Sequence, residues 1–190
     1  MNKWQTLGIV GGFFAFFVAA IIFNQLITSD TFMSLAVGAV AAFATYKFCD
    51  KKDRDELKAL MNPDPQTWPV PLPVAWASVK DVLYTTGVET RESGKQLWKI
   101  QREDQSRGII QAQLDFAEGL AGSMGQKEMV PRSIGLTVVL APANEEAGTK
   151  VTFSYNVYSK VSIHTVKNVI RQTNSEFPKV MLANKEQQGL

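Results

Sequence analysis

The sequence predicts an α+β protein, in which an N-terminal two-helix transmembrane hairpin precedes an antiparallel-sheet domain flanked by an N-terminal and a C-terminal helix. Between Lys3 and Lys47 the only charged residue is Asp30. Five of the eight prolines fall within residues 62–73. From residue 74 onward, apolar residues alternate or recur at helical spacing. We therefore expect a hairpin over residues 1–48, a charged stalk and proline-rich linker over 49–73, and a soluble domain over 74–190.

Composition limits the classes of function. Basic and acidic residues nearly balance over residues 62–190, and phosphate recognition needs clustered positive charge, so nucleic acid is not an expected partner. Cys49 is the single cysteine. It cannot form an internal disulfide or a cysteine-built zinc site, and no cofactor is expected.

Two spans are predicted in the hairpin, at about residues 7–27 and 31–48. As helices they would reach about 30 and 27 Å, against a hydrocarbon layer of about 30 Å. The second span crosses fully only if the bilayer thins or Lys47 extends to the headgroups. A secretory signal peptide is the alternative for the first run, but a second apolar segment follows it and no convincing cleavage site ends it.

Small residues repeat at i+4 on both predicted helices, where the backbones of membrane helices can approach closely. The predicted helix-packing interface comprises Gly8, Gly12, Gly11, Ala15, Ala19, Ser34, Gly38 and Ala42. Glycine and alanine are also simply common in membrane helices. The phenylalanines at 13, 14, 16 and 17 are too widely spread for a helix seam and are expected to face lipid or another subunit.

Lysine and arginine flank the hairpin on one side only, which predicts that both termini and the soluble domain are cytoplasmic. The flanking bases are Lys3, Lys47, Lys51, Lys52, Arg54 and Lys58. Because four acids interleave with the bases in residues 49–61, this segment is interpreted as a solvated stalk rather than a lipid-recognition patch. Acylation of Cys49 is a minor alternative.

The proline-rich segment is interpreted as a stiff spacer, with a ligand for a proline-binding module as the alternative. A helix is predicted from Val74 to Leu83, and alternating strands follow it. Residues 117–130 have no clear period and are expected to form a long irregular loop. A closing helix from about residue 162 should break or kink at Pro178, with a frayed tail from Asn184.

The predicted order of elements in residues 74–186 resembles that of helix-grip domains, although other α+β topologies fit it equally well. Some helix-grip domains hold a lipid or another apolar ligand between sheet and helix. The resemblance thus implies a candidate apolar pocket lined by Trp98, Phe116, Phe153, Tyr155 and Phe177. A filled core is the plainer interpretation, because any small sheet needs aromatic residues at alternating positions.

No catalytic signature is present in the sequence, so no catalytic, cofactor-binding or metal-binding residues are predicted. His164 is the only histidine, and the acidic pairs Glu103-Asp104 and Glu145-Glu146 lie in predicted turns. An enzyme using Glu118 and Glu128 is a remote alternative. We expect a non-catalytic accessory or assembly subunit that contacts a membrane protein or a second copy of itself, with a membrane-tethered lipid or apolar-ligand binding domain as the alternative.

Overall fold

The structure is a computed structural model that describes residues 3–27, 30–121, 127–143, 148–158 and 164–187. The chain divides into two compact units, Met1–Ala59 and Leu60–Leu190. The described residues combine four helices with antiparallel sheet, and the first two helices form an N-terminal pair.

The first unit consists of α1 (Lys3–Leu26) and most of α2 (Thr31–Met61). The side chain of Asp30 caps α2, because its Oδ1 accepts hydrogen bonds from the backbone N–H groups of Phe32 (2.9 Å) and Met33 (3.4 Å). Thr28 and Ser29 of the predicted link lie outside the described residues. The charged segment after Phe48 continues α2 as a helix, as the sequence predicts.

The described residues of the second unit form seven strands and two further helices. In chain order these are β1 (Gln66–Trp68), α3 (Leu72–Thr85), β2 (Gly87–Thr90), β3 (Gly94–Leu97), β4 (Lys99–Asp104), β5 (Ile109–Ala121), β6 (Lys127–Pro142), β7 (Thr149–Val157) and α4 (His164–Gln187). One sheet has the strand order β1-β7-β6-β5-β4, and β2 pairs only with β3 in a separate hairpin. All strand pairs are antiparallel.

Alternation along the central strands buries one face of the large sheet. Leu114 lies opposite Ile134, and Leu136 lies opposite Tyr155, so the apolar side chains of neighbouring strands share that face. The same core includes Val79 of α3 and Ile170 of α4. The two helices are also joined by Asn184, whose Nδ2 donates to Ser78 Oγ (3.0 Å) and Asp81 Oδ2 (3.0 Å).

Two glycines at the ends of strands have a left-handed backbone conformation. Gly94 and Gly108 adopt φ values of 64° and 65°, a left-handed conformation that glycine enters without a steric penalty. Gly108 also has no room for a side chain, because a Cβ there would collide with the carbonyl oxygen of Leu140.

The proline-rich segment differs from the predicted spacer. Its residues 66–68 form β1 against β7, and Trp68 and Val70 are buried in the domain core. The reason is that the strand falls between the prolines, at three residues whose N–H groups are available for pairing, while the apolar residues Trp68 and Val70 gain burial. This part of the predicted linker therefore belongs to the domain.

The predicted loop over residues 117–130 is wrong for most of its length. β5 and β6 form one long hairpin whose pairing extends to Ala121 opposite Lys127. Backbone pairing across the hairpin does not require an alternating side-chain pattern, so the sequence carried no signal for it. Residues 122–126 lie outside the described residues.

The helix does not break at Pro178, since α4 continues to Gln187, and a kink there stays a prediction. Phe177 and Met181 are buried on either side of the proline, and their packing offsets the loss of one backbone hydrogen bond. Likewise, Asn184 is held against α3 rather than frayed.

Candidate functional site

The two helices of the first unit approach closely along small residues. Gly8, Gly12, Ser34 and Gly38 are buried. A Cβ added at Gly12 would lie 3.2 Å from the carbonyl oxygen of Ala42, and one added at Gly38 would lie 2.7 Å from that of Phe16. Glycine at 38 is therefore required by the approach of the opposite backbone.

The other residues of the predicted interface lie nearer its edge. Gly11, Ala15, Ala19 and Ala42 are half-buried, and a Cβ at Gly11 would make an ordinary contact with Thr45 Cγ2 at 3.5 Å. The sequence prediction omitted Cys49, which is buried and whose Cβ lies 3.2 Å from the Cβ position of Gly8. The sequence could have placed Cys49 in this interface, because the spacing of four, three and four residues continues from Gly38 and Ala42 through Thr45 to Cys49.

Polar contacts join both ends of the helix pair. Ser34 Oγ lies 3.3 Å from Asn24 Oδ1, to which it donates, and 2.9 Å from the carbonyl oxygen of Asp30. At the other end the indole N–H of Trp4 donates to Glu56 Oε2 at 2.7 Å. These contacts fix an antiparallel register.

Large apolar side chains cover the outside of the pair. Phe14 is 71% exposed and Phe43 is 63% exposed. By length and composition alone, both helices are long and apolar enough to cross a membrane. The outward-facing set includes Leu7, Ile9, Val10, Phe13, Phe14, Phe17, Ile21, Ile22, Phe32, Leu35, Val40 and Phe43.

The five aromatic residues of the candidate apolar pocket are buried in the second unit. The rings of Phe153 and Phe177 stack with their centroids 4.5 Å apart, and those of Trp98 and Tyr155 lie 6.3 Å apart. Trp68, which the prediction omitted, packs between strand and helix at 6.1 Å from Phe153 and 6.3 Å from Phe177. The ring contacts thus join Phe153, Phe177 and Trp68 in one group and Trp98 and Tyr155 in another, and the role of the five residues in ligand binding stays a prediction.

The polar ends of two of these aromatics are hydrogen-bonded within the core. Trp98 Nε1 donates to Thr173 Oγ1 at 3.3 Å, and the phenol of Tyr155 donates to Asn174 Oδ1 at 2.5 Å. Burial raises the pKa of Tyr155 well above its ordinary value, because the phenolate would be poorly solvated there.

An ion pair between a buried arginine and a half-buried glutamate lies beneath the first turn of α4. Arg132 Nε and Nη2 lie 3.2 and 3.1 Å from Glu118 Oε2, and Thr165 Oγ1 donates to Glu118 Oε1 at 2.5 Å. Lys167 is also buried. The sequence could have indicated this pair through the alternating pattern, because Glu118 and Arg132 occupy inward positions next to Phe116 and Ile134.

Several clefts open on the surface formed by the described residues of the domain, including three with volumes of about 480 to 650 Å³. The first, of about 650 Å³, lies between the β2–β3 hairpin and α4 and is lined by residues including Glu89, Lys95, Asn168 and Gln172. The second, of about 610 Å³, is lined by residues including Phe116, Arg132 and Tyr158. The third, of about 480 Å³, is the groove on the outer face of the large sheet, lined by outward-facing residues that include Gln101, Gln111, Gln113, Thr137, Ser154, Asn156 and Tyr158.

Glu103, Asp104, Glu128 and His164 are not among the residues that line these clefts. Glu103 accepts a hydrogen bond from Lys80 Nζ at 3.0 Å, which raises the pKa of the lysine. The hydroxyl of Ser106 lowers the pKa of Asp104 by donating to it. Glu128 is exposed on β6, and Glu145 and Glu146 lie outside the described residues.

His164 begins α4 and is exposed, with its Nε2 3.2 Å from Asn168 Nδ2. Across the described ranges, no group of three His, Cys, Asp or Glu side chains is arranged to hold a metal ion.

No protein-family model matches the chain, and no curated protein matches it in sequence. Solved structures that are similar to it include the following two. Ara h 8.0201 shares 14% identity at a TM-score of 0.45, over 65% of this chain and 95% of that chain. TTHA0849 from Thermus thermophilus shares 15% identity at a TM-score of 0.24, over 65% of this chain and 92% of that chain. Both TM-scores are below 0.5, so neither similarity supports a conclusion about fold or function.

Proposed function

We propose that this chain is a non-catalytic accessory or assembly subunit of a membrane protein complex. In this proposal α1 and the first part of α2 form a two-span hairpin in the bilayer, and the domain contacts a partner on the cytoplasmic side. The observation that carries the proposal is the outer surface of the helix pair, where large apolar side chains such as Phe14 and Phe43 are exposed. Water would disfavour such a surface, whereas lipid solvates it.

The inside of the pair supports the same proposal. Apolar side chains gain little by moving from lipid to a helix interface, so membrane helices associate through close backbone packing. Gly12 and Gly38 provide that approach, and Ser34 adds a polar contact. The basic residues at one end of the pair favour cytoplasmic termini.

The outer groove of the sheet is the surface of the domain best suited to a protein partner. Its outward-facing side chains, such as those of Gln111, Thr137 and Asn156, are uncharged and polar, and Tyr158 at its margin is 65% exposed. The ring of Tyr158 packs over Gly135, where it lies 3.4 Å from the position that a Cβ atom would take. Interface centres are depleted of charge and enriched in tyrosine, which matches this composition.

The test is purification of the full-length chain in mild detergent, with identification of co-purifying membrane proteins. A double variant, Thr137→Lys and Asn156→Lys, places two charges in the groove and is expected to lose the partner at least tenfold while the helix pair keeps the chain in the membrane. Gln105→Lys with Ser175→Lys makes the same charge change at exposed positions outside the groove and should retain the partner. A clean monomer from the unaltered chain would contradict the proposal.

The alternative is a membrane-tethered domain that binds a lipid or another apolar ligand. It would require a helix-grip-like space between the sheet and α3 and α4, but there the rings of Trp68, Phe153 and Phe177 contact one another. Native mass spectrometry of residues 60–190 separates the two proposals. We expect a folded, empty fragment, whereas a co-purifying lipid would favour the carrier.

A further inference from the structure

Beyond Phe48 the basic residues of α2 gather on one side of the helix. They recur at intervals of four, three and four residues, which keeps them within about 60° around a helix of 3.6 residues per turn. All four are exposed. We define this set as the basic stripe: Lys47, Lys51, Arg54 and Lys58.

Most acids of the same segment lie away from the basic stripe or are paired. Asp53 is buried one turn after Cys49, on the side of α2 that packs against α1. Glu56 accepts the indole hydrogen bond from Trp4 and lies 3.9 Å from Lys3 Nζ. The helix thus separates two of the four acids from the basic stripe.

Two acids remain near the basic stripe. Asp50 is paired with Arg54 at 2.6 Å between Oδ2 and Nη2, so this arginine contributes little free charge. Asp55 is exposed at the flank. Three lysines, Lys47, Lys51 and Lys58, therefore carry the positive potential of the basic stripe.

Side chains on a helix lean toward its N-terminus, which on α2 is the direction of the apolar segment. Lys47 Nζ lies 5.4 Å from the ring centroid of Phe43, and Lys52 Nζ lies 5.6 Å from that of Phe48. Each ammonium group thus reaches back by about one turn. The charges lie nearer to the apolar segment than their Cα atoms do.

We propose that the basic stripe binds the headgroups of anionic phospholipids at the membrane face from which α2 emerges. This inference rests on the proposed insertion of the helix pair. With Lys47 at the edge of the hydrocarbon layer, Lys51 and Lys58 would lie about 6 and 16 Å farther out along the helix. The headgroup layer is about 5–8 Å thick, so Lys47 and Lys51 contact it directly. Lys58 acts through the field of the charged surface, which decays over about 8 Å at physiological salt.

The experiment uses the full-length chain, purified in detergent, stripped of lipid and supplied with equal phosphatidylglycerol and phosphatidylcholine. Native mass spectrometry then measures the ratio of the two lipids retained. We expect the unaltered chain to retain at least tenfold more phosphatidylglycerol. Replacing Lys47, Lys51 and Lys58 with glutamine should remove that preference, at about fivefold for each lysine close to the surface.

Two matched variants make the result specific. Lys95→Gln, Lys99→Gln and Lys150→Gln remove the same charge from exposed positions of the domain, and the preference should persist. Arginine at positions 47, 51 and 58 should also preserve it. Equal retention of the two lipids by the unaltered chain, or an equal loss in the domain variant, would overturn the inference.

Flotation with phosphatidylcholine vesicles separates this inference from the proposed function. A chain that fails to float with these neutral vesicles contradicts membrane insertion itself. A chain that floats with them but shows no preference for phosphatidylglycerol contradicts only the role of the basic stripe.

Discussion

The two units of this protein differ in which side chains they bury and which they expose. Phe14 of the helix pair is 71% exposed, whereas Phe177 of the domain is fully buried. Gly12 and Ser34 are buried in the pair, whereas Gln111 and Asn156 lie on the outside of the sheet. The inversion indicates that the domain is built for water and supports the proposal that the pair is built for lipid.

The largest effect should come from the buried phenylalanine. Phe177→Ala leaves a cavity beside Trp68 and Phe153, and such truncations cost about 3–5 kcal/mol. Urea unfolding of residues 60–190 measures this loss. The matched change, Phe14→Ala in the full-length chain, should leave the helical circular dichroism in detergent unchanged. A loss of that helical signal would contradict the contrast between the units.

A disulfide tests the register of the helix pair. The Cβ position of Gly8 lies 3.2 Å from Cys49 Cβ, close to the usual separation of about 3.5–4.5 Å in disulfides. Mild oxidation of Gly8→Cys should therefore link the two helices and stabilise the pair by about 3–4 kcal/mol. Mass spectrometry of a digest detects the cross-link. Gly11→Cys, which faces Thr45, should remain unlinked, and the reverse outcome would refute the register.

A smaller effect is expected from crowding the seam of the pair. Gly38→Leu brings a side chain against the backbone of Phe16, and overpacking of this kind costs about 1–3 kcal/mol. Resistance of the full-length chain to denaturation by sodium dodecyl sulfate measures it. Gly11→Ala adds only an ordinary contact and serves as the control. Equal resistance of the two variants would show that the helices do not pack along Gly38.

The smallest effect is a pH dependence in the domain core. Tyr155→Phe removes the hydrogen bond to Asn174 and should cost about 1 kcal/mol near pH 8. Burial raises the pKa of Tyr155 in the folded state, so above about pH 10 the phenol ionises only in the unfolded chain. The unaltered domain should then lose up to about 1.4 kcal/mol per pH unit relative to Tyr155→Phe. Parallel pH profiles of unfolding for the two proteins would show that Tyr155 is not buried as a phenol.

Sequence patterns predicted elements whose side chains alternate or recur over several turns. The predicted spans over residues 7–27 and 31–48 are helical in α1 and α2, except for Ile27, which follows the end of α1. The strands through Ile134 and Phe153 were recognisable from their alternation. Pairings between distant segments were not predictable. β1 gains its partner from β7, and the end of the β5–β6 hairpin is defined by backbone contacts rather than by a side-chain pattern.

The candidate sites likewise combine features that side-chain patterns predict with contacts that depend on how distant segments pair. Small residues at i+4 indicated the seam, but the contact between Gly8 and Cys49 depends on the register of two helices. Glu118 and Arg132 are 14 residues apart in sequence, and only the hairpin joins them. The separation of acids from the basic stripe likewise appears only when residues 47–58 are wound into a helix.

Cysteine accessibility tests the central claim, that the helix pair is a membrane hairpin, most directly. In a Cys49→Ser background, Asp30→Cys and Gln105→Cys place single thiols at the link of the hairpin and in an exposed turn of the domain. With a membrane-impermeant maleimide on intact cells, we expect Asp30→Cys to be labelled and Gln105→Cys to be labelled only after permeabilisation. Labelling of both thiols from the same side would contradict the hairpin.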